Sequence, residues 1–194
     1  MKAELALKKC LSIEGINTVL DYGAGAGVHT RAFLEAGKTV TGVDIFRHSE
    51  YPQEACLTSP EEFCEGVSGY DLIWASHVLE HIPNPIGLLS NFLHMGEYTC
   101  ITVPPLKHQI VSGHVNLYNM GLLVYHMVLA GYDMSEAVGL KYGYNISVFV
   151  KNKKIENFPA LKHDRPDLDT LKEYFPASMC GHGFNGSVDR LGSW

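Results

Sequence analysis

The stretch TVLDYGAGAGVHTRAF, residues 18–33, constrains the fold more than any other part of the chain. A short β-branched run, TVLDYG (18–23), ends at the first of three alternating glycines, and a helical pattern from Val28 to Ala36 follows, stopped by Gly37. A strand that turns through glycines straight into a helix is the opening of a crossover connection, which calls for a parallel neighbour strand. The rest of the chain repeats the alternation. TVTGVDI (39–45), EACLT (54–58), YDLIWAS (70–76) and YTCITVP (98–104) read as strands. Residues 1–13, 85–95 and 119–130 read as helices, and SPEEFCE (59–65) as a short one, with Ser59 as N-cap and Pro60 in the first turn. Residues 134–140 and 145–150 flank KYGY and read as an antiparallel hairpin. The expected fold is α/β: a Rossmann-like, seven-stranded, mostly parallel sheet with an antiparallel last strand and helices on both faces, an αβα sandwich.

Composition narrows the function classes. With 15 Lys+Arg against 21 Asp+Glu the formal net charge is −6. That balance argues against a protein whose main task is gripping nucleic-acid backbone. At 46% hydrophobic and 19% charged residues over 194 positions, one domain can bury a full core. No apolar run reaches the length of a membrane span. Glu4 and two lysines interrupt the N-terminal stretch where a secretory signal needs apolar residues. The five cysteines are odd in number and widely spaced, which suits reduced thiols and a cytoplasmic protein. After Lys151 the chain turns richer in Pro, Gly and charge. The expected organisation is a ligand-binding domain over 1–150 and an extension over 151–194 that wraps the domain surface or the mouth of its site.

The glycine loop, Asp21-Tyr22-Gly23-Ala24-Gly25-Ala26-Gly27, sits where open α/β sheets bind ligands, beyond the carboxyl ends of the strands. A dinucleotide fingerprint would need glycine at 28, and the residue is Val28. Asp21, just ahead of the glycines, would repel a pyrophosphate. It favours a ligand with an ammonium group and no phosphate, such as S-adenosylmethionine, with its sulfonium, α-ammonium and adenosine. Asp44 ends the second strand, where a carboxylate can accept two hydrogen bonds from ribose hydroxyls or simply start a turn.

VLDYGAGAGVHTRAF, TGVDIF and YDLIWASHVLEHIPNP together resemble, in order and spacing, the first, second and fourth motifs of class I S-adenosylmethionine-dependent methyltransferases. The resemblance extends over roughly 18–150. It implies that Asp21, Gly23, Ala24, Gly25 and Gly27 line the methionine part of the donor, that Asp44 holds the ribose and that Ile45 packs on the adenosine. Thr58 and Ala75 complete the implied pocket, with Thr58 standing where the family often has an acidic residue. His29 either touches the donor or is a polar residue of the first helical turn.

The fourth motif runs into His77-Val78-Leu79-Glu80-His81. Positions 77, 80 and 81 share one face of a helical turn, and two imidazoles with a carboxylate have the donor chemistry of a divalent metal site. The His-x-x-Glu-His order also matches an inverted zinc-hydrolase motif, but Pro83 and Pro85 cut the helix short. The cluster is similar to the Glu-x-x-Glu-His set of small-RNA 2′-O-methyltransferases and ubiquinone-pathway O-methyltransferases, with His77 in place of the first Glu. That resemblance implies His77, Glu80, His81 and a later histidine, His114, as metal ligands. His for Glu at 77 moves the preference from Mg towards Zn, Fe or Ni. The alternatives are a metal-free base, His77 or His114, and a purely structural cluster.

On the acceptor side, PPLKHQIVSGHVNLYN (104–119) and the tail are the expected covers. Lys107, His108, Tyr118 and Asn119 would meet a polar acceptor, or Tyr118 and Asn119 would only cap the next helix. The tail's aromatics and glycines suit a loop over the cleft or a homodimer contact. His126 reads as a core or interface residue, and His48, His94, His108, His163 and His182 as surface or loop. The expected function is methyl transfer from S-adenosylmethionine to a small polar acceptor, through oxygen, with a loose similarity to methyltransferases of surface-polysaccharide gene neighbourhoods pointing to a sugar hydroxyl. The rivals are a 2′-O-methyltransferase acting on an RNA end and a non-catalytic module that binds the cofactor.

Overall fold

A computed structural model describes residues 2–63, 67–180 and 184–194. In chain order it contains α1 (Glu4–Leu11), β1 (Thr18–Tyr22), α2 (Val28–Glu35), β2 (Thr39–Val43), β3 (Cys56–Thr58), β4 (Tyr70–Ser76), α3 (Pro85–Met95), β5 (Gly96–Val103), α4 (Met120–Leu129), β6 (Val138–Tyr142), β7 (Asn145–Lys151), α5 (Pro166–Thr170) and β8 (Arg190–Leu191). Two of the helices, α3 and α4, begin at a side-chain cap. Asn84 accepts the Gly87 amide at 3.0 Å ahead of Pro85, and Asn119 accepts the Leu122 amide at 2.8 Å.

The strands form one sheet in the order β3-β2-β1-β4-β5-β7-β6-β8. β1 to β5 run parallel, β7 returns antiparallel beside β5, and β6 pairs antiparallel with β7. The α/β sheet expected from the alternation is present, with β7 as the reversed strand. The tail adds a two-residue eighth strand, β8, on the outer edge of β6. Nothing in the sequence pattern marks a strand of that length. The hairpin turns at Gly143 and Tyr144, and its first strand begins at Val138, so Met134–Ala137 is a turn before the strand. Of the helix expected over 59–65, residues 64 and 65 lie outside the described residues. Ser59 and Glu62 make reciprocal side chain–backbone bonds of 3.2 and 3.4 Å on a turn that is not helical over the described residues. Cys64 and His182 also lie outside the described residues.

Both sheet faces are covered. α1 and α2 pack Ala6, Leu7, Cys10 and Phe33 onto Val19, Leu72, Trp74 and Cys100 of one face. α3 and α4 pack Leu89, Phe92, Leu123 and Met127 onto Leu20, Ile73, Ala75 and Ile101 of the other. Strands sandwiched this way read as continuous apolar runs, which is why β1, β4 and β5 are legible in the sequence. The extension after Lys151 adds Leu171, Phe175, Met179 and Leu191 to that second core, all buried. Among the described residues no helix is long and apolar enough to cross a membrane.

The topology fixes where a ligand goes. β1 has β2 on one side and β4 on the other, so the chain switches direction across the sheet there and leaves a crevice at the carboxyl ends. Tyr22 lies level with Val43 and with Ala75. The glycine loop, Asp44 and the Ser76–His77 turn therefore emerge side by side.

Candidate active site at the carboxyl ends of β1, β2 and β4

The glycine loop is anchored to β2 before it turns. The Gly23 and Ala24 amides donate to the Val43 carbonyl at 2.7 and 3.1 Å, and the Gly25 amide donates to Asp44 Oδ2 at 2.7 Å. The other Asp44 oxygen accepts the Phe46 amide at 2.9 Å. Two of the glycines are needed for different reasons. Both have left-handed φ, 75° at Gly23 and 55° at Gly25. A side chain at Gly23 would collide with Val78, whereas one at Gly25 would meet open space. Gly23 therefore lets the loop pack on the turn after β4, and Gly25 leaves room for something else. Gly25→Ala is expected to cost about 1 kcal/mol of stability through its φ alone. It should weaken donor binding by at least about tenfold, because its methyl enters the crevice. Thermal melting beside a donor titration separates the two effects.

Asp21 is the buried anion of this crevice. Only 2% of it is exposed, and the Thr30 hydroxyl of α2 donates to Oδ2 at 2.6 Å. Burial pushes its carboxyl up to about 6, the neighbouring Asp44 adds to the rise, and the Thr30 bond partly opposes it. At neutral pH the crevice thus holds a costly negative charge that a cation would relieve. Ile45 and Phe46, 69% and 66% exposed, follow Asp44 as an unusual pair of uncovered apolar side chains. Thr58 stands half-buried across from them, its carbonyl accepting the Asp44 amide at 3.1 Å, and Ala75 is buried at the end of β4. His29 faces away from the loop: its ring packs edge-on to Trp74 at 5.0 Å and its Nε2 donates to the Lys2 carbonyl at 2.9 Å. Burial lowers its pKa, leaving it neutral.

The second part of the site begins at His77, which takes a left-handed φ of 59° so that the chain can leave β4 and make one tight turn, Leu79–His81. The His77 amide donates to the Thr102 carbonyl at 2.8 Å. Glu80, 1% exposed, is the centre of the cluster. His77 Nδ1 lies 3.4 Å and His81 Nε2 3.9 Å from its Oε1, and Oε2 is buried with no protein partner.

The outer ring nitrogens set the tautomers. His81 Nδ1 faces the Gly113 carbonyl at 2.9 Å, an acceptor, so Nδ1 carries the proton. His77 Nε2 faces Asn145 Oδ1 at 3.0 Å, and the Ala3 amide donates to that same oxygen, which fixes it as the acceptor. The lone pairs of both imidazoles are thereby turned towards an anion. Such a cluster of acceptors calls for a cation or a hydrogen-bond donor among them.

His114 comes from the loop after β5, its ring edge-on to His81 at 4.8 Å. The loop is held there by the Val115 and Asn116 amides, which donate to the Glu80 carbonyl at 2.7 and 3.1 Å. Ligand atoms of Glu80, His81 and His114 lie within 4.8 Å of one another. His77 touches Glu80 from another side and is not part of that trio among the described residues.

A methyltransferase-domain model matches residues 4–97, about half of the chain. Among solved structures, the didemethyltoxoflavin N1-methyltransferase of Burkholderia thailandensis, with bound S-adenosylhomocysteine, superposes with a TM-score of 0.64 at 17% identity, covering 78% of each chain. A SAM-dependent methyltransferase from Aquifex aeolicus gives 0.61 at 17% identity over 78% of this chain and 90% of that one. The chain belongs to the class I S-adenosylmethionine-dependent methyltransferases. Curated relatives include the ubiquinone biosynthesis O-methyltransferases of Actinobacillus pleuropneumoniae, 30% identical over 93 residues, and of Hydrogenovibrio crunogenus, 30% over 95. These matches take in 38% and 43% of this chain and 38% and 39% of the relatives, so the methyltransferase spans less than half the length of either.

The structure also adds residues to this methyltransferase site that sequence reasoning passes over. Thr30 sits nine positions after Asp21 and reaches it only because α2 folds back on β1. Phe46 is detectable as an apolar neighbour of Ile45 beyond a strand end. Asn145 and Tyr144 come from the hairpin tip, 68 and 67 positions beyond His77, a distance no local pattern spans. His126 pairs instead with Tyr118, 3.4 Å from its hydroxyl.

Proposed function

We propose that the methyltransferase moves the methyl group of S-adenosylmethionine to an oxygen of a small polar acceptor. In this reading the Gly23–Gly27 loop and Asp21 receive the methionine part, Asp44 the ribose, and Ile45, Phe46 and Thr58 the adenine. The observation that carries it is the pairing of a buried, cation-seeking Asp21 with an open position at Gly25 in one crevice. A sulfonium donor with an ammonium group relieves that charge, and a pyrophosphate would add to it.

Glu80, His81 and His114 are assigned to a divalent cation. The donor set fits: one carboxylate oxygen without a partner, and an imidazole whose other nitrogen is tied to a carbonyl, the usual support of a metal-bound histidine. Two imidazoles and a carboxylate favour Zn, Fe or Ni over Mg. Such an ion would lower the pKa of an acceptor hydroxyl. The acceptor oxygen then attacks the methyl carbon, the S–C bond breaks, and S-adenosylhomocysteine leaves. His77, held by Asn145 through Nε2, would take the hydroxyl proton on Nδ1, the nitrogen that faces Glu80. Residues 1–150 form the donor domain, and 151–194 brace α4 and the acceptor side.

Isothermal titration tests the reading: S-adenosylmethionine should bind and NAD should give no heat. Binding of NAD with no response to S-adenosylmethionine overturns it.

A further inference from the structure

Between Tyr98 and Tyr132 the chain carries no Asp or Glu, although the sequence holds 21 of them and is acidic overall. That stretch includes the loop over the reactive cluster, and Lys107 is its one Lys or Arg. The loop is a closed excursion: the Leu106 amide donates to the Tyr118 carbonyl at 2.7 Å, so residues 106–117 project over the cleft from a fixed base. Lys107 Nζ lies 4.4 Å from the centre of the Tyr144 ring. The same ring stacks on His77, with centres 6.3 Å apart and planes 24° apart. Lys107 makes no ion pair among the described residues, whereas Lys141, Lys151 and Lys153 each pair with an acid. An ammonium resting on an aromatic face at the mouth of a site, with no carboxylate paired to it among the described residues, is a cation held ready for an anion. As the one Lys or Arg of that stretch, Lys107 matches a single negative charge. A phosphate dianion would call for more.

Resting on the methyltransferase reading above, we infer that the acceptor carries a carboxylate, which Lys107 binds, while its ring or flat body lies on Tyr144 beside His77. Lys107 is then a specificity residue, remote from the transferred methyl. Its position would orient the acceptor so that the hydroxyl, and not the carboxylate, faces Glu80, His81 and His114.

Catechol and protocatechuate test this. They share a ring and two adjacent hydroxyls and differ by one carboxylate. Each is titrated calorimetrically into the full chain loaded with S-adenosylhomocysteine. Protocatechuate should bind at least about tenfold more tightly, as a charge-assisted contact implies. Lys107→Gln should erase that preference and leave catechol binding unchanged, and Lys107→Arg should keep it. Equal affinities, a preference that survives Lys107→Gln, or binding of neither compound by the loaded chain overturns the inference and leaves the donor assignment standing. A chain that takes up no S-adenosylhomocysteine at all removes both.

Discussion

Replacing His81 and His114 together by alanine is expected to lower affinity for Zn²⁺ by at least about a hundredfold, since outer partners of metal ligands alone are worth about 10–100-fold. Turnover should fall by a similar or larger factor while S-adenosylhomocysteine still binds. Elemental analysis and calorimetry with Zn²⁺ read the first, and single-turnover methyl transfer the second. His81 is exposed and His114 half-buried, so the double variant should fold. Glu80→Gln makes a sharper test. The amide keeps the shape of the buried side chain and supplies N–H donors to the lone pairs of His77 and His81. The apo protein should therefore hold or gain thermal stability as it loses the metal. Unchanged Zn²⁺ affinity in both variants, with turnover lost only on His77→Ala, would transfer the chemistry to His77 as a base.

The second large effect belongs to Asp21. Its folded pKa of about 6 lies above the ordinary 3.8, so between those values the native chain binds more protons than the unfolded one. Stability then falls as pH rises across that window and levels off above it. Asp21→Asn removes the slope and keeps an acceptor for Thr30. The apo variant should be more stable at pH 7 by roughly 2–3 kcal/mol, since each tenfold difference in proton affinity between the folded and unfolded chain is worth about 1.4 kcal/mol. Donor binding should weaken by about ten- to a hundredfold, because the ammonium and sulfonium lose their anion. In the parent chain donor affinity should drop as pH falls below about 6. Chemical denaturation at several pH values and donor titrations check both. A variant that is less stable at neutral pH, with donor affinity intact, would remove the electrostatic role.

How much of the molecule is legible in its sequence follows from the range over which each feature is encoded. β1 and β4 are short apolar runs buried on both faces, and such runs announce themselves. Asn84-Pro85 and Asn119 mark helix starts because the caps act within three residues. β8 leaves no trace in the pattern because its two residues owe their strand state to the edge of β6. The turn at Ser59–Phe63 carries a capping box and yet does not extend as a helix over the described residues, since a cap starts a helix but cannot sustain one without an apolar stripe to bury.

The sequence by itself determined the alternation of strands and helices up to the hairpin, the glycine turn after β1, and the residue types at the carboxyl ends of β1, β2 and β4: Asp21, Asp44, His77, Glu80 and His81. These depend on local spacing and chirality, which a linear pattern records. Only the tertiary structure decided which of those groups meet. It drew His114 to Glu80 and His81, held His77 on Asn145, buried Asp21 under Thr30, and laid Lys107 on Tyr144. Each of these contacts depends on where the sheet order carries a loop, and burial and mutual charge, which set what the groups can do, come into being only when the crevice closes around them.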